Sequence, residues 1–532
     1  MSQHHVTRSV LLAAALVPSL ALAQADTSRR ATPADTSHKP TPIGPPIRKI
    51  STASALSTED IGAITSVLEL RDGRVLVNDG TRRRLLLMDT ALKTVEVVLD
   101  SLAEVANTYG TRPGMLIPYR ADSVIFVDPA SVAALILDPQ AHIARVRSAW
   151  RTDDLFQYAN PNGNMGLPAT DGRGRVVYRI SARPGPPKVA PPPGVPYFPS
   201  PPDTAFVVSI DLDTRALDTL GVVNVPRVEF QIRQSAEGFL SINAMVNPLP
   251  NTDEWAVLPD GDIAFLRGRD YRVEYRHPDG TGTSSGKVAF DWQRLNDDGK
   301  QRVVDSLKDA NRRSQMAGYV AQMIRWTNMY NRPYPKGFTV PANFIPQNGL
   351  SRNWKLPPGV SFPANYIYAC AAGEEPKIIQ PSPGTASVPT VSAQPPTPLP
   401  GAFPGIPGPP IPPGGTPSCI PSPITVSGGL APPPPTIREI YVIPPDELPD
   451  YRPPFSPGAM RADADGNLWV HTNPSKPIPG GLVYDILNDK GDLTDRLQIP
   501  PGYTLVGFGK GKIVYLSMRD AKGIHLARVR LK

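Results

Sequence analysis

Short apolar runs recur along the chain, and each is entered through a polar turn. Asp72-Gly73 leads into Arg74-Val75-Leu76-Val77, Asp260-Gly261 into Asp262-Ile263-Ala264-Phe265, Gly172-Arg173-Gly174 into Arg175-Val176-Val177-Tyr178, and Asp465-Gly466-Asn467 into Leu468-Trp469-Val470-His471. Leucine and β-branched runs bounded by Gly, Asp and Asn are the chemistry of strands and tight turns. Residues 64–99 hold four such runs in succession, at 64–70, 75–77, 85–89 and 95–99. One unit of this kind cannot bury both of its apolar faces, so its copies must stack on one another.

Further units keep the same spacing. The second has strands at 115–119, 123–128, 133–138 and 143–150, and the third spans 165–223 with strands at 176–180, 206–211 and 217–223. The fourth takes 256–258, 263–266, 271–276 and 287–292; the fifth 468–471, 482–487 and 492–499; the sixth 504–508, 512–517 and 524–531. Six units predict an all-β fold, a six-bladed β-propeller with an inserted amphipathic helix and Pro-rich disordered insertions. Two leftover runs, 47–53 and 228–232, are available to complete blades, the first by closing the ring beside the C-terminal strand.

The repeat is interrupted twice. Residues 182–203 form a Pro-rich loop: ten of the 19 residues 184–202 are proline, which removes ladder donors and excludes a central strand. The larger insertion is 293–436. Its first part predicts a helix at about 297–332, capped by Asn296-Asp297-Asp298 and ending before Pro333. Val303, Leu307, Ala310, Ala317, Val320 and Ile324 form its apolar side at three- and four-residue steps, a stripe suited to packing on the outside of the ring. Its last part, 376–435, has 21 prolines in 60 residues and reads as a disordered spacer of polyproline II character. Strand chemistry resumes at 438–443.

The N-terminus is of a different kind. Arg8, the apolar run 10–22 and the small residues Ala21-Leu22-Ala23 read as a signal peptide, 1–23, too short in its apolar part for the roughly 20 residues of a membrane span. Residues 24–46 follow as a disordered leader rich in Thr, Ser and Pro, and 47–532 carry the propeller. The expectation is an exported protein, periplasmic or extracellular, with no transmembrane span in the mature chain. The two cysteines, Cys370 and Cys419, predict a structural disulfide in an oxidising compartment. It would close a loop of roughly 50 residues, worth about 4 kcal/mol in the chain-entropy picture. The net charge of +7 is scattered among acids apart from Arg82-Arg83-Arg84 and Arg312-Arg313, so no nucleic-acid partner is expected.

Three stretches carry a resemblance to a known family: Leu70-Arg71-Asp72-Gly73-Arg74-Val75-Leu76-Val77 within 64–89, Leu448-Pro449-Asp450-Tyr451-Arg452-Pro453-Pro454-Phe455, and Asp465-Gly466-Asn467-Leu468-Trp469-Val470. They resemble exported bacterial six-bladed β-propeller proteins of NHL-like and TolB-like fold, a family of unknown function. The resemblance covers about 47–292 and 437–532. It implies a ring of blades around a central channel with a loop face that binds something, and it transfers no catalytic residues.

The candidate chemistry is sparse. Gly282-Thr283-Ser284-Ser285-Gly286 has the spelling of a nucleophile elbow, but it lies between an Asp279-Gly280 turn and a predicted strand, so it reads as a flexible hairpin loop. Asp463-Ala464-Asp465-Gly466 resembles a calcium loop, yet Arg461 and Thr472 stand where the first and last acids are needed, so its acids are expected to cap a turn. His277 and His471 read as ordinary turn or strand-end residues. By analogy with metal-dependent propeller hydrolases, Asp79, Asp128, His471 and Asn473 at the ends of inner strands are the candidate ligand-binding positions. The expected function is a non-catalytic binding or scaffolding propeller without a cofactor, its ligand a protein, peptide or glycan. The alternative is a lactonase or esterase that uses a metal, calcium, in the channel.

Overall fold

The computed structural model describes residues 44–101, 107–160, 163–184, 200–234, 240–330, 437–476, 478–520 and 523–532. Six four-stranded antiparallel units form a six-bladed β-propeller. Blade 1 is Ile64–Glu69, Val75–Asp79, Arg84–Met88 and Val95–Leu99. Blade 2 is Met115–Pro118, Val124–Asp128, Ala133–Leu137 and Ile143–Ser148; blade 3 is Ala169–Thr170, Val176–Ser181, Thr204–Ile210 and Leu217–Asn224. Blade 4 is Glu254–Val257, Ile263–Arg267, Arg272–Arg276 and Gly282–Ser284. Blade 5 is Phe455–Ala462, Leu468–Thr472, Leu482–Leu487 and Leu493–Ile499, and blade 6 adds Tyr503–Gly509, Ile513–Arg519 and Ile524–Arg530.

The long apolar runs have a simple cause: both faces of each middle strand are buried against a neighbouring blade. In blade 1, Leu76, Leu85 and Leu87 pack towards blade 2, while Val75, Val77, Leu86 and Met88 pack towards blade 6. Successive side chains of a strand point to opposite faces, so one run serves two seams. An apolar cluster fills each of the six seams, from blades 1 and 2 round to blades 6 and 1. The turns are fastened as their sequence predicts. Asp463 Oδ1 accepts the Asp465 and Asn467 N–H groups at 3.0 and 2.8 Å, its Oδ2 accepts Trp469 Nε1 at 3.0 Å, and Gly466 takes φ +89°. Asp465 instead accepts the Gly511 and Lys512 N–H groups at 3.0 and 2.6 Å, tying the turn of blade 5 to that of blade 6.

The structure corrects several sequence expectations. Ring closure is made by Ala55–Leu56, which pairs with Ile524–Arg530 as the fourth strand of blade 6; Ile47–Lys49 pairs in parallel with Leu493–Ile499 and gives blade 5 a fifth strand. The run at 228–232 completes no blade, because Glu229–Gln234 pairs with Leu240–Met245 as a separate hairpin. The outer strand of blade 4 is Gly282–Ser284 and not 287–292: the Asp279-Gly280 turn folds the chain straight back onto Arg272–Arg276. Residues 438–443 form no strand but meet the hairpin through an isolated Val246–Val442 bridge.

The inserted helix, α1 (Asp297–Tyr330), is capped by Asn296, whose Oδ1 accepts the Gly299 N–H at 2.9 Å. Of the predicted stripe, Val320 is buried, Val303 and Leu307 are half-buried, and Ala310 is exposed; Val304 and Met323 are buried as well. The shift follows from what the helix packs on. Val304 joins Leu249, Leu295, Ile443 and Leu448, while Gln315 holds the Arg438 backbone by two hydrogen bonds of 2.7 and 2.9 Å. The insertion is pinned at its neck, where Lys300 Nζ meets Asp450 Oδ1 at 2.8 Å and the Arg452 N–H reaches the Gln293 carbonyl at 2.9 Å. The signal peptide, most of the leader, most of the loop 182–203, the Pro-rich segment 376–435, Cys370 and Cys419 lie outside the described residues.

Candidate functional site

The four positions singled out from the sequence stand at or just beyond the ends of second strands, and each is taken up by its own blade. Asp79, fully buried, accepts the N–H groups of Gly62, Ala63 and Arg82, all at 3.1 Å, and faces Arg84 Nη2 at 3.3 Å. Asp128 accepts from the Ala130 N–H at 2.9 Å and from the Ser131 hydroxyl. Asn473 Nδ2 donates to the Pro453 carbonyl at 3.2 Å and to Ser456 Oγ at 3.1 Å. His471 lies against Tyr484, ring centroids 5.3 Å apart, and burial lowers its pKa. His471 and Asn473 thus share blade 5, while Asp79 and Asp128 belong to blades 1 and 2. Among the described residues no three His, Cys, Asp or Glu side chains are grouped to hold a metal ion, so these residues do not fit a shared cation site.

The glycine-serine tract has a structural use. His277 Nδ1 is 2.8 Å from Asp262 Oδ2 and its Nε2 is 3.0 Å from Thr283 Oγ1. An ionised carboxylate only accepts, so Nδ1 carries a proton towards Asp262, and Nε2 forms a hydrogen bond with the Thr283 hydroxyl. The chain of three side chains clamps the outer hairpin of blade 4.

Two polar features stand apart from this turn chemistry. The first is an open cleft of about 340 Å³ between blades 3 and 4, lined by Arg173, Arg175, Asp218, Arg276, His277 and Asp279 among others. Its floor is formed where the turns of the two blades nearly touch: a side chain at Gly261 would sit 2.4 Å from the Gly172 nitrogen. Arg175 is engaged by Asp171 at 2.8 Å and Asp218 at 2.6 Å, and Arg173 Nη2 reaches across the cleft to the Pro278 carbonyl at 2.5 Å. Arg276 is exposed, and among the described residues no hydrogen-bond or ion-pair partner holds its guanidinium.

The second is centred on Glu254, where the inner strands of blades 4 and 5 meet the Gly163-Asn164 segment that precedes blade 3. Glu254, on the first strand of blade 4, is buried and accepts the Gly458 N–H of blade 5 at 2.7 Å. Burial pushes its carboxyl up to about 8, against the hydrogen bonds from Gly458 and Met460 and the pull of Arg179. Gly458 (φ +79°) lies in a register shift of the blade 5 inner strand, so packed against Gly163 and Asn164 that a Cβ would be 3.0 Å from Asn164 Cα. The sequence gives no sign of this contact, because Glu254 and Gly458 are some 200 residues apart and belong to different blades.

No known family profile matches the chain, and no curated protein matches it. Solved propellers do resemble it in chain course. The calcium-binding protein regucalcin from Agrobacterium tumefaciens aligns over 91% of this chain and 98% of its own, with 8% identity and a TM-score of 0.33. A gluconolactonase from Xanthomonas campestris covers 46% of this chain and 89% of its own at 15% identity and a TM-score of 0.19. A nidogen/laminin complex covers 42% of this chain at 9% identity and a TM-score of 0.24, the chain spanning 65% of that structure's length. The functional reading therefore rests on the chain's own residues.

Proposed function

We propose that this protein is an exported, non-catalytic binding or scaffolding propeller that takes its ligand on the face of the Asp-Gly turns, at the cleft between blades 3 and 4. The observation that supports this reading is Arg276. It is a guanidinium exposed in a polar cleft and without a partner among the described residues, whereas the acids singled out for chemistry are engaged by their own turns. A cleft that offers free and half-engaged donors beside acceptors suits a polar ligand carrying carboxylate or hydroxyl groups, as on a peptide or glycan. Among the described residues no helix is long and apolar enough to cross a membrane.

The test is a screen of peptide and glycan arrays with the mature chain and with Arg276→Glu. Saturable binding that falls about tenfold or more in the variant is expected, a loss of roughly 1.4 kcal/mol. Binding that the charge reversal leaves untouched would remove the cleft from the reading.

A further inference from the structure

We propose that the exposed corner formed by Trp292 and Tyr451, at the neck of the insertion, is the docking site of the chain's own proline-rich segment, at residues 404–413. The site is separate from the cleft of Arg276.

Trp292 and Tyr451 are left 37% and 47% exposed. Their rings meet at 88° with centroids 6.4 Å apart, two walls of a corner. The corner is anchored from below: Trp292 meets Phe290 edge-on at 5.5 Å, and Phe290 meets the fully buried Tyr271 at the same distance. Backbone pairing fixes the two segments to each other. Tyr451 is bridged to Arg294, with the Leu295 N–H on the Asp450 carbonyl at 2.7 Å and the Arg452 N–H on the Gln293 carbonyl at 2.9 Å. Among the described residues no hydrogen bond engages Trp292 Nε1 or the Tyr451 hydroxyl.

Fixed aromatic rings with unused donors match one recurring class of ligand. A polyproline II helix has three residues per turn and no internal hydrogen bonds, and it docks in aromatic-lined grooves. The rings cover pyrrolidine faces while the indole N–H and phenol O–H donate to its open carbonyls. This chain contains such a sequence: Pro404, Pro407, Pro410 and Pro413 stand at every third position, on one edge of such a helix. Lys377 is the only charged residue in 376–435, so the segment offers apolar edges and carbonyls and no salt bridge.

The insertion also brings the segment within reach. It leaves the ring just after Trp292 and returns just before Tyr451. Gln315, 18 residues along α1 from Asp297, holds Arg438, which places the returning chain about 27 Å from the neck at 1.5 Å per residue. The 25 residues from Pro413 to Arg438 can span up to about 80 Å. Residues 404–413 therefore reach the corner with Arg438 still in place, and the tether raises their local concentration there.

The experiment labels the mature chain with 5-fluorotryptophan, and Trp292→Phe identifies the fluorine resonance of Trp292. Pro404→Ser, Pro407→Ser, Pro410→Ser and Pro413→Ser together should uncover the ring, moving its resonance and enlarging its shift between H2O and D2O. A synthetic peptide of residues 402–415 should return the resonance of that variant saturably to the wild-type position, with affinity about tenfold weaker or worse in Tyr451→Ala. The wild type should take up the peptide more weakly, because its tethered segment competes. The same peptide with its four period-three prolines changed to alanine should leave the resonance unmoved. A Trp292 resonance unchanged by the four serines, or an alanine peptide that acts like the proline one, overturns the proposal. Covering of Trp292 that depends on protein concentration would put the segment in the corner of a second copy and overturn its assignment to its own chain. Should Tyr451→Ala fail to fold, the two peptides decide the matter on the serine variant.

Discussion

The seam between blades 4 and 5 and the seam between blades 3 and 4 are built from the same repeat, yet one is sealed and the other open. In the sealed seam, Tyr271, just before the third strand of blade 4, donates to Asp485 Oδ2 at 2.9 Å, and Asp485 Oδ1 accepts Arg496 Nε at 3.0 Å beside the apolar packing of the two blades. In the open seam, Val177, Val207, Trp255 and Phe265 make an equally apolar interior. At the turn end, however, Arg175 pairs with Asp171 and Asp218 of its own blade. The charge of Arg175 is thus satisfied within its own blade, Arg173 reaches across to the Pro278 carbonyl, and the cleft stays open beside that contact. Tyrosines likewise cross other seams, from Tyr109 to Asn78 at 2.7 Å and from Tyr178 to Asp154 at 3.1 Å.

The comparison can be broken most forcefully at Asp485. Asp485→Ala removes the acceptor of Tyr271 and one partner of Arg496, and chemical denaturation should show a loss of about 3–5 kcal/mol, the usual result of removing one partner of a buried pair. A loss below about 1 kcal/mol would mean the seam is held by apolar packing alone. Tyr271→Phe keeps the ring and removes only the hydroxyl, so its loss should be smaller, about 1–3 kcal/mol.

Glu254 sharpens the contrast through pH. The unfolded chain ionises this carboxyl near the ordinary value of 4.5, the folded chain near 8. Between those values the folded state holds the extra proton, so stability declines as pH rises through the window and levels off above it. The slope is at most about 1.4 kcal/mol per pH unit. Denaturation series for wild type and Glu254→Gln should differ by this slope between pH 5 and about 8; parallel curves would show that burial does not raise this group. The smallest effect is expected in the open seam, where Arg276→Ala should change stability by no more than about 0.5 kcal/mol while weakening ligand binding.

The blades were legible in the sequence because their signal is local. Asp-Gly turns and two-sided apolar runs such as Leu85-Leu86-Leu87-Met88 report strand, turn and double burial together. Elements that depend on distant partners were not. Ala55–Leu56 is too short to show a period, and its place on Ile524–Arg530 is set by ring closure. The outer strand Gly282–Ser284 carries no strand-forming run and is held by the turn before it. The polar features are harder to read: an acid at a strand end caps a turn or binds a cation with the same residue type, and Asp79 and Asp128 are seen holding turns. Glu254 and Gly458 come from different blades, so no spacing along the chain joins them.

The central claim is that this propeller binds and does not turn over its ligand. Isothermal titration of the strongest binder from the arrays, with the ligand recovered afterwards and weighed by mass spectrometry, tests it most directly. The account predicts a saturable, stoichiometric heat that is weakened by Arg276→Glu, and a ligand of unchanged mass with and without added calcium. A continuing heat with a hydrolysed ligand would contradict it and make the protein an enzyme.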